Sequence, residues 1–323
     1  MNSYAWVLEP DENYEVLNNR HDTGYKYLLS VKRVFVQLLR SFVRQSWVNN
    51  IDEDNVENIN KSFILNDFKG KEADLLYKIK IDGQEIFFYI LMELQSTVDF
   101  QMPYRLLQYM VEIWRTLLKD TESKQGKFMA RRKEFKLPVI IPCVLYNGSS
   151  RWTVSRNFKE TLEEVEMFDG SVLDFEYILI DISSYGQNEL LEIGNLISAV
   201  FYMDQKHLNK EFYARLKDLL NLIKNLSSSD YDLFITWIKN ILTKGMNEKE
   251  TEVIDTILCE KETEQMIYAL EGAFQKAKQE GKAEGELNIA KKLIDSNIMS
   301  LEQISTVTGL SIDELKKIKS DIE

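Results

Sequence analysis

The sequence predicts an α/β protein. Short apolar strands are interleaved with segments of helical periodicity over the first two thirds of the chain. Past about residue 227 only helical signal remains, which predicts a second, all-helical region. At 323 residues, with 44% hydrophobic and 11% aromatic content, the chain can bury a sizeable core.

Each element has its own warrant. From Asp22 to Val43, apolar residues recur at helical spacing (Leu28, Val31, Phe35, Leu38, Leu39, Phe42), which predicts one long helix. Two strands follow, residues 74–81 and 85–95, around Asp82-Gly83, a preferred pair for a two-residue hairpin turn. Residues 102–118 read as a helix with Pro103 in its first turn, where a missing N–H costs little. The runs VIIPCVLY (139–146) and YILIDI (177–182) are short and apolar, as strands inside a sheet are. Helices follow from about Glu189. A break near Ser227-Ser228-Ser229 separates residues 1–226 from a helical region, 227–323. Within it, Met266, Leu270, Phe274, Ala277, Gly281 and Gly285 form a stripe that becomes small toward its end. Such a stripe suits close packing on a second helix, and we expect a homodimer through it. Ser300 with Gln303, and Ser311 with Glu314, are capping-box patterns for two short helices around Gly309.

Composition excludes several classes. A net charge of −12 argues against a general nucleic-acid coat. The stretch KDTESKQGKFMARRKEFK (119–136) is locally basic and reads either as a solvated loop or as a phosphate-contacting flank. Cys143 and Cys259 lie far apart in no CxxC arrangement, so a disulfide framework or cysteine zinc site is not expected. His21 and His207 are too few for a histidine-based centre, and neither GxxxxGK[ST] nor GxSxG occurs. Without a signal-peptide pattern or an apolar run near the ~18 residues of a membrane span, a soluble cytoplasmic protein is expected.

The hairpin places polar groups together. A turn at Asp82-Gly83 pairs Ile81 with Gln84 and sets Asp74 opposite Leu91. Side chains alternate along a strand, so Leu75, Tyr77, Ile79 and Ile81 share an apolar face with Ile86, Phe88, Ile90, Met92 and Leu94. Asp74 and Glu93 fall on the other face as diagonal neighbours, ~7–8 Å apart at Cα. Carboxylates so placed can converge on one divalent ion with bonds of ~2.1 Å. Gln95 points to the same place, and Lys78 shares that face. In a second reading Glu93 pairs with Arg105 and Asp74 is a solvated strand-start residue. Both remain open at this stage.

The order Asp, hairpin, Glu-x-Gln, helix resembles the PD-(D/E)XK nuclease superfamily. More closely, the chain resembles the recombination-promoting nuclease (Rpn) family, also known as putative transposases. The matching stretches are HDTGYKYLL, ADLLYKIKIDGQEIFFYILMELQSTVDFQMPYRLLQYMVEIW, LPVIIPCVLYNGSSRW and, in the tail, EGKAEGELNIAKKLI with SLEQISTVTGLSIDELKKI. The resemblance implies a restriction-endonuclease-like core, a mixed central sheet flanked by helices, and DNA as substrate. It implies that Asp74, Glu93 and the Leu94 carbonyl hold Mg²⁺ (or Mn²⁺). Asp22 touches the metal or its water, or is simply a helix N-cap. Gln95 stands where many superfamily members have lysine and would orient the attacking water. Arg105 and Tyr109, four apart on one helix face, would address the scissile phosphate, although Tyr109 reads equally well as packing. The expected activity is metal-dependent hydrolysis of a DNA phosphodiester. A strand-joining transposase and a non-catalytic DNA-binding or assembly protein are the alternatives. The closing helices suggest helix-turn-helix, but the acidic start Ser311-Ile312-Asp313-Glu314 of the second would repel phosphate, so a protein-contact module is expected.

Overall fold

In the computed structural model, residues 23–59, 75–80, 87–125, 129–168, 170–205, 212–242, 285–295 and 299–322 are described. Helical positions 251, 255, 265, 269 and 272 are also described; of some residues, 87–93 among them, only the backbone is. Five strands form one sheet in the order β1 (Val56–Asn58), β2 (Leu75–Lys80), β3 (Phe87–Gln95), β4 (Val139–Tyr146), β5 (Ile178–Asp181). The first two pairings are antiparallel and the last two parallel. The α/β class is therefore observed, in a mixed sheet.

The helical signal at residues 22–43 resolves into two helices, α1 (residues 23–29) and α2 (Lys32–Phe42), in place of the single one expected. Val31 is extended, with φ −80° and ψ 114°. Just before it, the Ser30 hydroxyl donates to the Tyr27 carbonyl at 2.7 Å. A serine offering its own hydrogen bond, next to a β-branched residue, gives the backbone a way out of the helix. The apolar stripe nevertheless reaches the core: Leu28, Leu29, Phe35, Leu38, Leu39 and Phe42 are all buried.

α1 and α2 lie against one face of the sheet. Phe35 stacks on Tyr77 of β2 with centroids 3.8 Å apart, and the Tyr77 hydroxyl donates to the Leu29 carbonyl. On the other face, α3 (Met102–Gln125) packs Met102, Leu106, Tyr109 and Ile113 on Leu76, Ile140, Val144 and Tyr146. α4 (Gln187–Ile193) leads into α5 (Leu196–Asp204), whose nine residues are all buried. A helix apolar nearly all round belongs inside a layer. There Phe201 meets Phe42 at 4.6 Å and Tyr25 at 6.1 Å. The helix Ser228–Trp237 joins the same layer through an ion pair between buried Asp230 and half-buried Arg33.

The chain divides into two compact units, Met1–Lys210 with Asn221–Met246, and Glu211–Leu220 with Asn247–Glu323. Ser227 is a helix N-cap inside the first. In the second, both expected capping boxes form: Ser300 with Gln303 and Ser311 with Glu314, with Gly309 at φ 77° between their helices. Ala290, Ile304, Leu315 and Ile318 are their core. Of the small-residue stripe, only Gly285 lies within the described residues, in a helix.

Candidate functional site

The carboxyl ends of β3 and β4 finish side by side. The parallel register runs Glu93↔Val144, Leu94↔Leu145, Gln95↔Tyr146, and the Asn147 N–H then donates to the Gln95 carbonyl at 2.9 Å. Both chains therefore turn away at one edge of the sheet, the edge where open α/β sheets bind ligands. Pro142 is accommodated by the same ladder. Since Asn147 points its N–H at β3, alternation aims position 142 at the β5 side, and pairing to β5 begins only at Cys143↔Ile178.

The hairpin register differs from the expected one by two residues. Leu76 lies opposite Leu91, Leu75 opposite Met92, and the described ladder closes at Lys80↔Phe87. A two-residue turn would have set Lys80 against Glu85. A slip of two preserves which residues share a face, so hydrophobic alternation cannot detect it; only the turn sets it. The face assignment accordingly holds where it is described, with Leu75, Tyr77 and Ile79 buried. Asp74, Asp22 and the turn at residues 81–86 lie outside the described residues, as does the side chain of Glu93, whose backbone is in β3. Among the described residues no group of three or more His, Cys, Asp or Glu could hold a metal ion.

Of the remaining candidates, Leu94 is buried and Gln95 half-buried at the end of β3. Arg105, in the first turns of α3, gives Nη1 to Asp99 Oδ2 at 2.7 Å, and its Nη2 lies 3.4 Å from the Tyr109 hydroxyl. Asp99 also starts α3: its Oδ1 accepts the Gln101 N–H at 2.8 Å, and its carbonyl accepts that of Met102 at 3.0 Å. Half-shielded from water, this ion pair offsets much of the charge that Arg105 offers a phosphate. Tyr109 is 2% exposed within the α3 core, so only its hydroxyl, at Arg105, is placed for polar work. Lys78 sends its ammonium away toward Glu57 on β1, 3.8 Å distant.

The basic stretch lies at the wrong end to serve this edge. It covers the last turns of α3 and the return to β4, and Trp114, midway along α3, already bonds the Pro138 carbonyl at 2.9 Å. Residues 131–136 thus precede the amino end of β4, whose eight residues span ~26 Å. The loop leaving β4 at the carboxyl edge carries the exposed Arg151 instead. That loop is shaped by Gly148, where a Cβ would overlap the Tyr146 ring. Tyr146 in turn donates to the Ser150 carbonyl at 2.6 Å and meets Trp152 edge-on at 4.9 Å. Sequence reasoning missed Asp99, Asn147 and Arg151. Asp99 stands three residues before Met102-Pro103, a usable capping signal; Asn147-Gly148 directly follows a buried strand, a usable turn signal.

Fold and edge together define an α/β protein with a Glu-x-Gln strand end and an arginine-bearing helix after it. The family described as "Putative transposase, YhgA-like" matches residues 19–234, and the chain belongs to that family. It is 26% identical over 263 residues to recombination-promoting nuclease RpnA of Escherichia coli (strain K12), covering 79% of this chain and 81% of that protein. Over 204 residues it is 22% identical to RpnC of the same strain, covering 62% of each. RpnD of Escherichia coli O157:H7 is 23% identical over 217 residues, 64% of this chain and 74% of that protein. The resemblance to recombination-promoting nucleases is thus borne out. No solved structure matches significantly.

Proposed function

We propose that this chain is a metal-dependent DNA endonuclease with a PD-(D/E)XK core built on the first compact unit, the helix Ser228–Trp237 included, and a helical C-terminal region that pairs two copies. The observation that supports it most is the shared carboxyl edge of β3 and β4, where Glu93-Leu94-Gln95 ends beside Asn147 and α3 follows with Arg105. Relatives named recombination-promoting nucleases add weight. Asp74, Glu93, the Leu94 carbonyl and Asp22 are an all-oxygen donor set, the kind that suits Mg²⁺ or Mn²⁺, and these residues would hold the ion. When bound, it supplies Lewis-acid polarisation of the phosphate and a lowered pKa for attacking water. Gln95 orients that water by hydrogen bonding. Arg105 exchanges part of its contact with Asp99 for the phosphate oxygens as they gain charge. Tyr109 acts on Arg105 through its hydroxyl, not on substrate. No helix among the described residues is long and apolar enough to cross a membrane, and we place the activity in the cytoplasm.

Nicking of supercoiled plasmid in Mg²⁺, abolished by EDTA, is the expected result. Full nicking by Asp74→Ala would overturn the ligand assignment, and DNA retention without cleavage in any divalent metal would overturn the nuclease reading. The transposase description of the family favours one second reading, strand joining. It predicts covalent attachment of a labelled duplex to a target plasmid, whereas hydrolysis leaves free ends only.

A further inference from the structure

Behind the carboxyl edge lies a buried carboxylate. Asp204, the last residue of α5, is 5% exposed. Its Oδ2 accepts the Tyr25 hydroxyl at 2.8 Å and the Asn147 amide, through Nδ2, at 3.0 Å. Asn147, itself buried, uses its backbone N–H for the Gln95 carbonyl at 2.9 Å. An unbroken line of hydrogen bonds thus runs from α5 to the last residue of β3. Its other arm reaches α1 at Tyr25, three residues after Asp22. The next residue, Gln205, pins the same helix end by donating Nε2 to the carbonyls of Ile182 at 2.9 Å and Tyr185 at 2.8 Å, just past β5.

The placement is costly for a mere brace. A carboxylate taken out of water loses hydration, and at a helix C-terminus it meets the negative end of the macrodipole. What the location provides is reach: α1, β3 and β4 are separated by long stretches of chain, and one side chain registers all three.

We propose that Asp204 is a positioning residue of the candidate site. Through Asn147 it holds the Glu93-Leu94-Gln95 strand end, and through Tyr25 it holds the helix that follows Asp22. Two of the three segments that supply the proposed ligands, all but the one carrying Asp74, then keep one geometry before any cation arrives. This rests on the nuclease reading, which names the atoms that must be held. Loss of groups that orient metal ligands typically weakens metal binding by about 10–100-fold.

The experiment uses the full chain without DNA. Mn²⁺ binding is measured by titration calorimetry for wild type, Asp204→Ala, Asp204→Asn, Tyr25→Phe and Asn147→Ala, with melting curves in EDTA to establish the folded fraction. Nicking kinetics then separate kcat from KM. Asp204→Ala and Asn147→Ala should bind Mn²⁺ about tenfold or more weakly and lose kcat with KM for DNA unchanged. Asp204→Asn keeps an acceptor oxygen and should restore much of both, while Tyr25→Phe falls between. If wild type neither binds Mn²⁺ nor nicks, the nuclease reading fails and takes this one with it. If wild type does both, while folded Asp204→Ala, Asn147→Ala and Tyr25→Phe bind Mn²⁺ within twofold of it, the nuclease reading stands and Asp204 is only a brace. Should Asp204→Ala not fold, Asn147→Ala and Tyr25→Phe decide by the same criterion.

Discussion

Replacing Tyr77 by Phe removes one oxygen from the layer joining α1 to β2, the segments that follow Asp22 and Asp74. Tyr77 is fully buried, and Phe keeps both its shape and its stacking on Phe35. The hydroxyl donates to the carbonyl of fully buried Leu29 and accepts from Asn58 Nδ2 at 3.0 Å. Asn58 is exposed and turns to water; the Leu29 carbonyl cannot. One orphaned buried acceptor costs about 1–2 kcal/mol, which at 2–4 °C per kcal/mol lowers Tm by about 2–8 °C. The effect also depends on pH in a fixed direction. Burial holds the Tyr77 phenol well above its ordinary 10.0. As pH rises past 10 the unfolded chain loses this proton first, so the native state binds more protons and stability falls. The contribution is fully present below pH 10 and is lost as pH climbs toward the folded-state value, by about 1 kcal/mol between pH 10 and 11. Phe has no proton to lose. Urea unfolding followed by near-UV circular dichroism should therefore show the gap between wild type and Tyr77→Phe narrowing by about 1 kcal/mol over that interval. A gap independent of pH, or no loss at pH 7, would refute the reasoning.

Other outcomes follow from the same structure. Gly148→Ala should cost about 1–3 kcal/mol, read by thermal melting, because the new methyl displaces a Tyr146 ring already seated on Trp152. Cys143 is wholly buried, and desolvation pushes its thiol far above the ordinary range. Iodoacetamide at pH 8 should leave its peptide unmodified in native protein and alkylate it in urea, as peptide mass mapping will show. In DNA-binding titrations over salt, Arg151→Ala should reduce the slope of log K against log salt by about 1. Joint replacement of Arg131, Arg132 and Lys133 by Ala should leave nicking unchanged, since they sit off the far end of β4. Asp99→Asn should free Arg105 from its ion pair and tighten DNA binding measured in Ca²⁺ and EDTA; unchanged affinity would mean that Arg105 never meets phosphate.

Elements with strong local signals were legible in the sequence. β4 spans residues 139–146 as expected, because a bounded apolar run leaves little room for error. β2, β3 and β5 fall within two residues of expectation at each end. α3 continues past Leu118 to Gln125, where Lys119, Glu122, Lys124 and Gln125 favour helix without extending the apolar stripe. β1, three residues long, carries no period to detect. The hairpin shows the limit most clearly: alternation establishes which residues share a face, while phase between strands depends on a turn that alternation does not constrain.

The polar groups of the candidate edge mark a second limit, one of distance along the chain. Glu93, Gln95 and Arg105 stand within thirteen residues, and so a local reading finds them. Asp99 is only six residues from Arg105, yet its role required knowing that the chain folds back there. Tyr25 and Asn147 meet Asp204 across 179 and 57 residues, which no local pattern encodes. The electrostatic picture changes accordingly. Read along the sequence, the basic stretch at 119–136 is either a solvated loop or a phosphate-contacting flank, and Arg105 either addresses phosphate or pairs with Glu93. In the fold that stretch sits off the far end of β4 and Arg105 is held by Asp99. On the proposed nuclease reading, attraction of DNA to this edge would draw on the exposed Arg151 and on a cation held by the acidic ligands. The acidic balance of the chain would make binding depend on divalent metal as well as on salt.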